Sequence, residues 1–243
     1  MSEPLVRTWF DSELGQYVLA REQAWFDAVS ADLFGFNAMQ VGHCGVDSLR
    51  ANRMPHRFCG GGEAGELRCS PEQLPISSQS LDLLALPHVL EFSSHPHQVL
   101  REAERVLRPE GRLLITGFNP LSLWGARRAL NRHATDWPWS GHFIHISRLK
   151  DWLDLLGFEL AGGRMACYAP PLERTVWRER FSFLEAAGDR WWALGGGVYL
   201  IHAVKRVHGM RLIAPKWEGQ WLPRPNWVGS TRSTTRNSLK KNG

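Results

Sequence analysis

The clearest pattern in the chain lies between Gln73 and Pro120. An apolar run, Leu81 to Leu86, interrupted at Asp82, has no helical period and predicts a short strand buried on both faces. From Pro96 to Leu107 the period changes. Val99, Leu100, Ala103, Val106 and Leu107 recur every three or four residues, with Arg101, Glu102, Glu104, Arg105 and Arg108 on the other side. This predicts an amphipathic helix of about three turns. Ser93 or Ser94 is its expected cap, and Pro96 fits in the first turn, where its missing N–H has no partner to lose. Pro109-Glu110-Gly111 ends the helix, and Arg112 to Thr116 reads as a second buried strand. Strand, helix and strand in that order make a right-handed βαβ crossover in a parallel sheet.

The same reading extends outward. Residues 1–13 form an arm that Trp9-Phe10 can dock. Residues 14–32 form a helix with Leu14, Tyr17, Val18, Trp25 and Val29 inward and Arg21, Glu22 and Gln23 outward. Strands are predicted at Phe36–Val41, His56–Cys59 and Glu66–Cys69, with a short helix, Val46–Asn52, between the first two. Asn119 caps a helix over Leu121–Leu130, whose polar side carries Arg127, Arg128 and Arg132. After a loop over 131–146 come a helix at 147–156, a sixth strand at 158–166 and a seventh at 197–205. The aromatic stretch 172–192 lies in an insert, about 168–196, that is a candidate lid. The expected organisation is an arm and helix (1–35), one α/β domain (36–206), a Trp/Pro-rich appendage (207–229) and a basic disordered tail (230–243).

Several motifs in this order carry a family resemblance: Leu74-Pro75, Ser80-Leu81-Asp82, Val89-Leu90-Glu91, and Glu102 to Gly111, which reads EAERVLRPEG. Ser147-Arg148-Leu149 and Leu155-Leu156-Gly157-Phe158 follow. The chain resembles class I S-adenosylmethionine (SAM) dependent methyltransferases of the type 11 group over roughly residues 36–206. The resemblance implies a Rossmann-like α/β fold: a seven-stranded, mostly parallel sheet of order 3-2-1-4-5-7-6, the last strand antiparallel, helices on both faces. It implies SAM as cofactor, held by Gln40, Gly42, His43, Gly45, Ser70, Pro87 and His88. His88 and Glu91, after the fourth strand, become the candidate catalytic residues.

The chain departs from the family at three acidic positions. Gln40 stands where an acid meets the amino group of SAM, Cys59-Gly60-Gly61-Gly62-Glu63 where an acid holds the ribose, and Ser70 where an acid meets the adenine. Of the usual Gly-x-Gly-x-Gly only Gly42 and Gly45 remain, the latter one residue out of register. Each lost acid removes a charge-assisted hydrogen bond of about 1.5–3 kcal/mol. Two readings follow: a SAM-dependent methyltransferase acting on a small or apolar acceptor, or a catalytically degenerate methyltransferase-fold protein kept for binding or regulation.

Composition narrows this further. With 243 residues, 43% of them apolar, the chain can bury a sizeable core. Arg232, Arg236, Lys240 and Lys241 supply four of the five net positive charges, so the body is near neutral and no nucleic-acid partner is expected. No apolar run reaches the roughly 18 residues of a membrane span. The four cysteines form no Cys-x-x-Cys pair, which fits a reducing cytoplasm. His142 and His145 lack a nearby third ligand, so no metal is expected. Neither the Gly-x-Gly-x-x-Gly of nicotinamide enzymes nor the Gly-x-Ser-x-Gly of serine hydrolases occurs in place. The expected ligand is a small molecule, and the oligomeric state is not legible.

Overall fold

Near-continuous burial along the central strands marks a sheet covered on both faces, seven-stranded, in the order β3-β2-β1-β4-β5-β7-β6. In the computed structural model the described residues are 8–44, 46–61, 65–131, 136–172 and 195–206. They fall within one unit, 1–207; the second unit, 208–243, lies outside them, as do the core of the expected lid and the basic tail. The strands are β1 (Asn37–Val41), β2 (His56–Gly61), β3 (Leu67–Arg68), β4 (Leu81–Pro87), β5 (Leu107–Phe118), β6 (Phe158–Ala166) and β7 (Val198–Lys205). Neighbours from β3 to β5 pair in parallel, and β7 runs antiparallel to both β5 and β6. Strand order and the antiparallel last strand are those expected. The helices are α1 (Glu13–Ser30), α2 (Pro96–Val106), α3 (Leu123–Leu130) and α4 (Ile146–Leu155).

The pleat sends alternate residues to opposite faces. Met39, Val41, Leu84, Leu86, Leu113 and Ile115 pack with Val99, Leu100, Ala103 and Val106 of α2 and with Leu149 and Leu153 of α4. Ala38, Leu83, Ala85 and Leu114 point the other way, against Phe26 of α1. Farther along that face Leu14 and Val18 of α1 join Trp124 of α3, Phe118 and Leu200. Two polar devices fix the frame. Asp82 accepts hydrogen bonds from the backbone N–H groups of Phe36 (2.8 Å) and Asn37 (2.9 Å) and pairs with Arg108 (3.0 Å), tying the start of β1 to β4. Lys205, buried at the end of β7, pairs with Glu104 (2.8 Å) and donates to the Leu107 carbonyl (3.0 Å), closing the end of α2.

Four expectations change. No helix forms over Val46–Asn52. The Asn52 N–H bonds the Leu49 carbonyl and closes a single turn, because the Ser48 and Leu49 amides are taken by the side chains of Gln40 and Asp47. Neither Ser93 nor Ser94 caps α2: its N-cap is His95, and the Ser93 hydroxyl accepts from the His95 N–H. α3 is capped by Ser122, whose hydroxyl accepts from Gly125 N–H, while Asn119 closes a turn by accepting from Leu121 N–H. Pro109 to Gly111 does not precede β5 but bulges within it, where pairing to β4 jumps from Leu107 to Arg112 and Glu110 takes φ +63°.

Candidate functional site

β1 and β4 are neighbours, but their other partners lie on opposite sides, so the strand order reverses between them; their carboxyl ends leave a crevice there. A cavity of about 440 Å³ fills it, within the range of small-ligand sites. Gly42 and His43 bring the loop after β1 to its wall, and Gly61 the end of β2. Cys69 and Glu72 come from the exit of β3, and Pro87, His88 and Val89 from the exit of β4. Phe10, Phe92 and Trp137 close one side with a contiguous aromatic surface, their ring centroids 4.9 to 5.5 Å apart across Trp137. Gly42 has φ +112°, and a Cβ there would meet Val89 Cγ2 at 2.7 Å, so only glycine brings this backbone against the cavity without strain.

His88 is the centre of the polar wall. Its backbone takes the left-handed conformation (φ +51°), uncommon for a residue with a Cβ, and its N–H bonds the Thr116 carbonyl on β5 (3.1 Å). The imidazole stacks on Phe118, centroids 4.3 Å apart. Nε2 lies 2.6 Å from Glu22 Oε1 and Nδ1 lies 3.0 Å from Glu91 Oε1. Glu91 Oε1 also accepts from Phe118 N–H (2.7 Å). All three side chains are buried. Burial pushes the imidazole pKa down, but the two carboxylates outweigh it and raise it to about 10. His88 is therefore an imidazolium at neutral pH, clamped between α1 and its own loop.

A second carboxylate on the wall is Glu72. Burial raises its pKa, but the hydroxyls of Ser70 and Ser93 donate to it and hold it below the usual carboxylate range. Ser70 thus meets Glu72 instead of lining the cavity. Gln40 is occupied too. Its Nε2 donates to the carbonyls of His43 (2.7 Å) and Val46 (2.8 Å), and its Oε1 accepts from Ser48 N–H (2.8 Å). It braces the loop from behind and does not face the cavity. Restoring the family's acid there should do harm: in Gln40→Glu both carbonyls lose their donor and face a carboxylate. The expected cost is about 1–3 kcal/mol, read as a lower urea midpoint, with no gain in ligand affinity.

Of the residues singled out in the sequence, Gly42, His43, Pro87 and His88 line the cavity. Gln40, Ser70 and Glu91 stand one layer behind it, and Gly45 and Glu63 lie outside the described residues. Sequence reasoning missed Glu22, Gln23 and Glu72. It placed Glu22 and Gln23 in solvent, yet they are 3% and 7% exposed. The signal was present: Leu14, Val18, Glu22 and Phe26 form one i, i+4 row, and the two apolar members on one side and the one on the other are all buried. The inward stripe is rotated from the expected one, and Tyr17, Trp25 and Val29 are only half-buried. Cys44 and Cys59 are joined in a disulfide, also unforeseen. Their separation of 15 residues carries no motif, but the pairing of β1 with β2 sets the loop after β1 against the β2 edge. Among the described residues no cluster of three or more His, Cys, Asp or Glu could hold a metal ion, and no helix is long and apolar enough to cross a membrane.

Comparison with known proteins agrees with this geometry. Residues 52–115 match a family described as a methyltransferase domain. The Escherichia coli (strain K12) protein YafS, described as uncharacterized, is 32% identical over 139 residues, 56% of this chain and 56% of that one. The chain spans little more than half the length of that relative. A candidate methyltransferase from Haloferax volcanii, solved with the methyltransferase activator Trm112, superposes with a TM-score of 0.56 at 16% identity, covering 84% of this chain and 99% of that one. A Thermotoga maritima protein described as a SAM-dependent methyltransferase and possible histamine N-methyltransferase gives a TM-score of 0.58 at 16% identity, covering 82% and 94%. By sheet order and structural neighbours alike, the chain has the Rossmann-like fold of the class I methyltransferases, and its residues 52–115 are similar to a methyltransferase domain.

Proposed function

We propose that the protein is a SAM-dependent methyltransferase acting on a small, uncharged and largely apolar acceptor. One observation carries this: among the described residues, the cavity at the strand-order reversal presents the carboxylates Glu22 and Glu72, an aromatic flank and no lysine or arginine. That wall suits a cationic cofactor and disfavours an acidic acceptor. It also has a glycine cradle at Gly42, and a buried donor in the indole N–H of Trp137, which has no partner among the described residues. These features fit SAM.

When bound, SAM supplies a methyl group on a positively charged sulfur. Glu72, kept ionised by Ser70 and Ser93, is the acceptor for a hydroxyl or amino donor of the ligand. Gly42 lets backbone approach it without a side chain between. Phe10, Phe92 and Trp137 exclude water and align an apolar acceptor, and proximity and desolvation supply most of the acceleration in a direct displacement. His88 does not serve as general base, since both ring nitrogens already face carboxylates; with Glu91 it positions the wall. Glu72 and Glu22 take over the role of the acids missing at positions 40 and 70.

Calorimetric titration with S-adenosylhomocysteine (SAH), the demethylated product, tests this. Micromolar binding is expected, and no binding at millimolar ligand overturns it. The second reading, a binding or regulatory protein without turnover, is favoured by Gln40, which is wholly spent on its own loop. Saturable SAH binding without consumption of SAM over a panel of neutral aromatic and aliphatic acceptors would support it.

A further inference from the structure

Glu22 lies outside the segment that matches the family and sits on the cavity wall. The hydrogen-bond geometry bears directly on the charge of its cluster. A neutral imidazole has one N–H to give. Both ring nitrogens of His88 are within hydrogen-bond distance of carboxylate oxygens, at 2.6 and 3.0 Å. With both carboxylates ionised, an imidazolium donates to each, and the three groups together carry one net negative charge. Glu91 is 1% exposed and lies behind His88, with one oxygen bonded to Phe118 N–H. Tyr199, the other titratable group beside Glu91, is kept protonated by burial and by that carboxylate. The excess charge therefore faces the cavity at Glu22. Among the described residues that line it there is no Lys or Arg to neutralise it.

We propose that Glu22, held in place by His88, is a specificity-determining counter-charge that makes the cavity prefer the cationic cofactor SAM over its uncharged-sulfur product SAH. The proposal rests on the methyltransferase reading and deepens it. SAM and SAH differ by one methyl group and one positive charge. The methyl changes shape little; the charge meets a carboxylate in a water-poor site, where a unit pair roughly 6–12 Å apart corresponds to a ten- to hundredfold change in affinity at an effective dielectric near 20. A cavity so built releases its product as the charge disappears.

The test is calorimetric titration of the full chain with SAM, with SAH, and with sinefungin, which carries a protonated amine in place of the sulfonium. The wild type is expected to bind SAM and sinefungin about tenfold or more tightly than SAH. In Glu22→Gln, which keeps an oxygen acceptor for His88, the preference should fall to near one, mainly through weaker SAM and sinefungin binding. Glu72→Gln is the comparison: it removes a hydrogen-bond acceptor, weakens all three ligands together, and shifts their ratio less than Glu22→Gln does. Thermal melting of each variant confirms that it is folded before its affinities are compared. An unchanged ratio in folded Glu22→Gln overturns the counter-charge while SAH binding still upholds the methyltransferase reading. A wild type that binds none of the three overturns both.

Discussion

Between pH 7 and pH 9 the protein is expected to lose stability steadily, by about 1.4 kcal/mol per pH unit at most. The cause is the proton on His88. In the unfolded chain that imidazole has its ordinary value, 6.5, whereas in the folded protein Glu22 and Glu91 hold it near 10. Below the unfolded value both states carry the proton and the cluster contributes fully. Above it the unfolded chain sheds the proton while the folded chain keeps it, so rising pH favours unfolding until the folded group also titrates. The Cys69 thiol and the Tyr199 phenol, also raised by burial, add losses of the same sign only as the pH reaches their unfolded values, 9.0 and 10.0, at and beyond the top of this window. Urea midpoints at pH 7, 8 and 9 should fall for the wild type and flatten for His88→Gln. A flat wild-type profile would mean that His88 is neutral in the fold. At pH 7, His88→Leu should be among the most damaging single changes, about 3–5 kcal/mol, because it leaves two buried carboxylates without their shared cation.

The next largest effect concerns Cys44 and Cys59. Closing a loop of this length restricts the unfolded chain by about 3 kcal/mol in the chain-entropy account. Reduction, or Cys44→Ser with Cys59→Ser, should lower the unfolding midpoint accordingly. A dithiol reductant should bring the wild type down to the double variant and leave the double variant unmoved. A wild type indifferent to reductant would show that the two sulfurs are not bonded in solution. The same loop carries Gly42 and His43 to the cavity, so loosening it should also weaken SAH binding, though Gln40 continues to brace it from behind.

The sheet was legible because its signals are local. The apolar run at Leu81–Leu86, the periodic helix at 96–107 and the glycine and proline between them each announce an element, and chirality then fixes how they join. The cavity was half legible: of the residues that the family resemblance picks out, Gly42, His43, Pro87 and His88, which follow strand ends, line it. What escaped is set by tertiary contact. Glu22 reads as a surface residue of a helix until His88, 66 positions away, is folded against it. Gln40 reads as a ligand until the loop turns back onto its amide. Glu72 reads as a loop acid until Ser70 and Ser93 donate to it. In each case a polar side chain has two plausible partners in sequence, and only packing decides between them.

The covering role of α1 has a consequence for where this protein can be divided. The family-matched segment, 52–115, contains β2 to most of β5 but neither β1 nor the helix that supplies Glu22, Gln23 and Phe26. A fragment starting at β1 would keep its strands yet bare Ala38, Leu83, Ala85 and Leu114 to water and leave His88 with one carboxylate instead of two. The recurrent part of the chain is thus a scaffold that is not self-sufficient. Its charge balance and its dry face are both completed by residues 13–30, so helix and sheet have to change together or not at all.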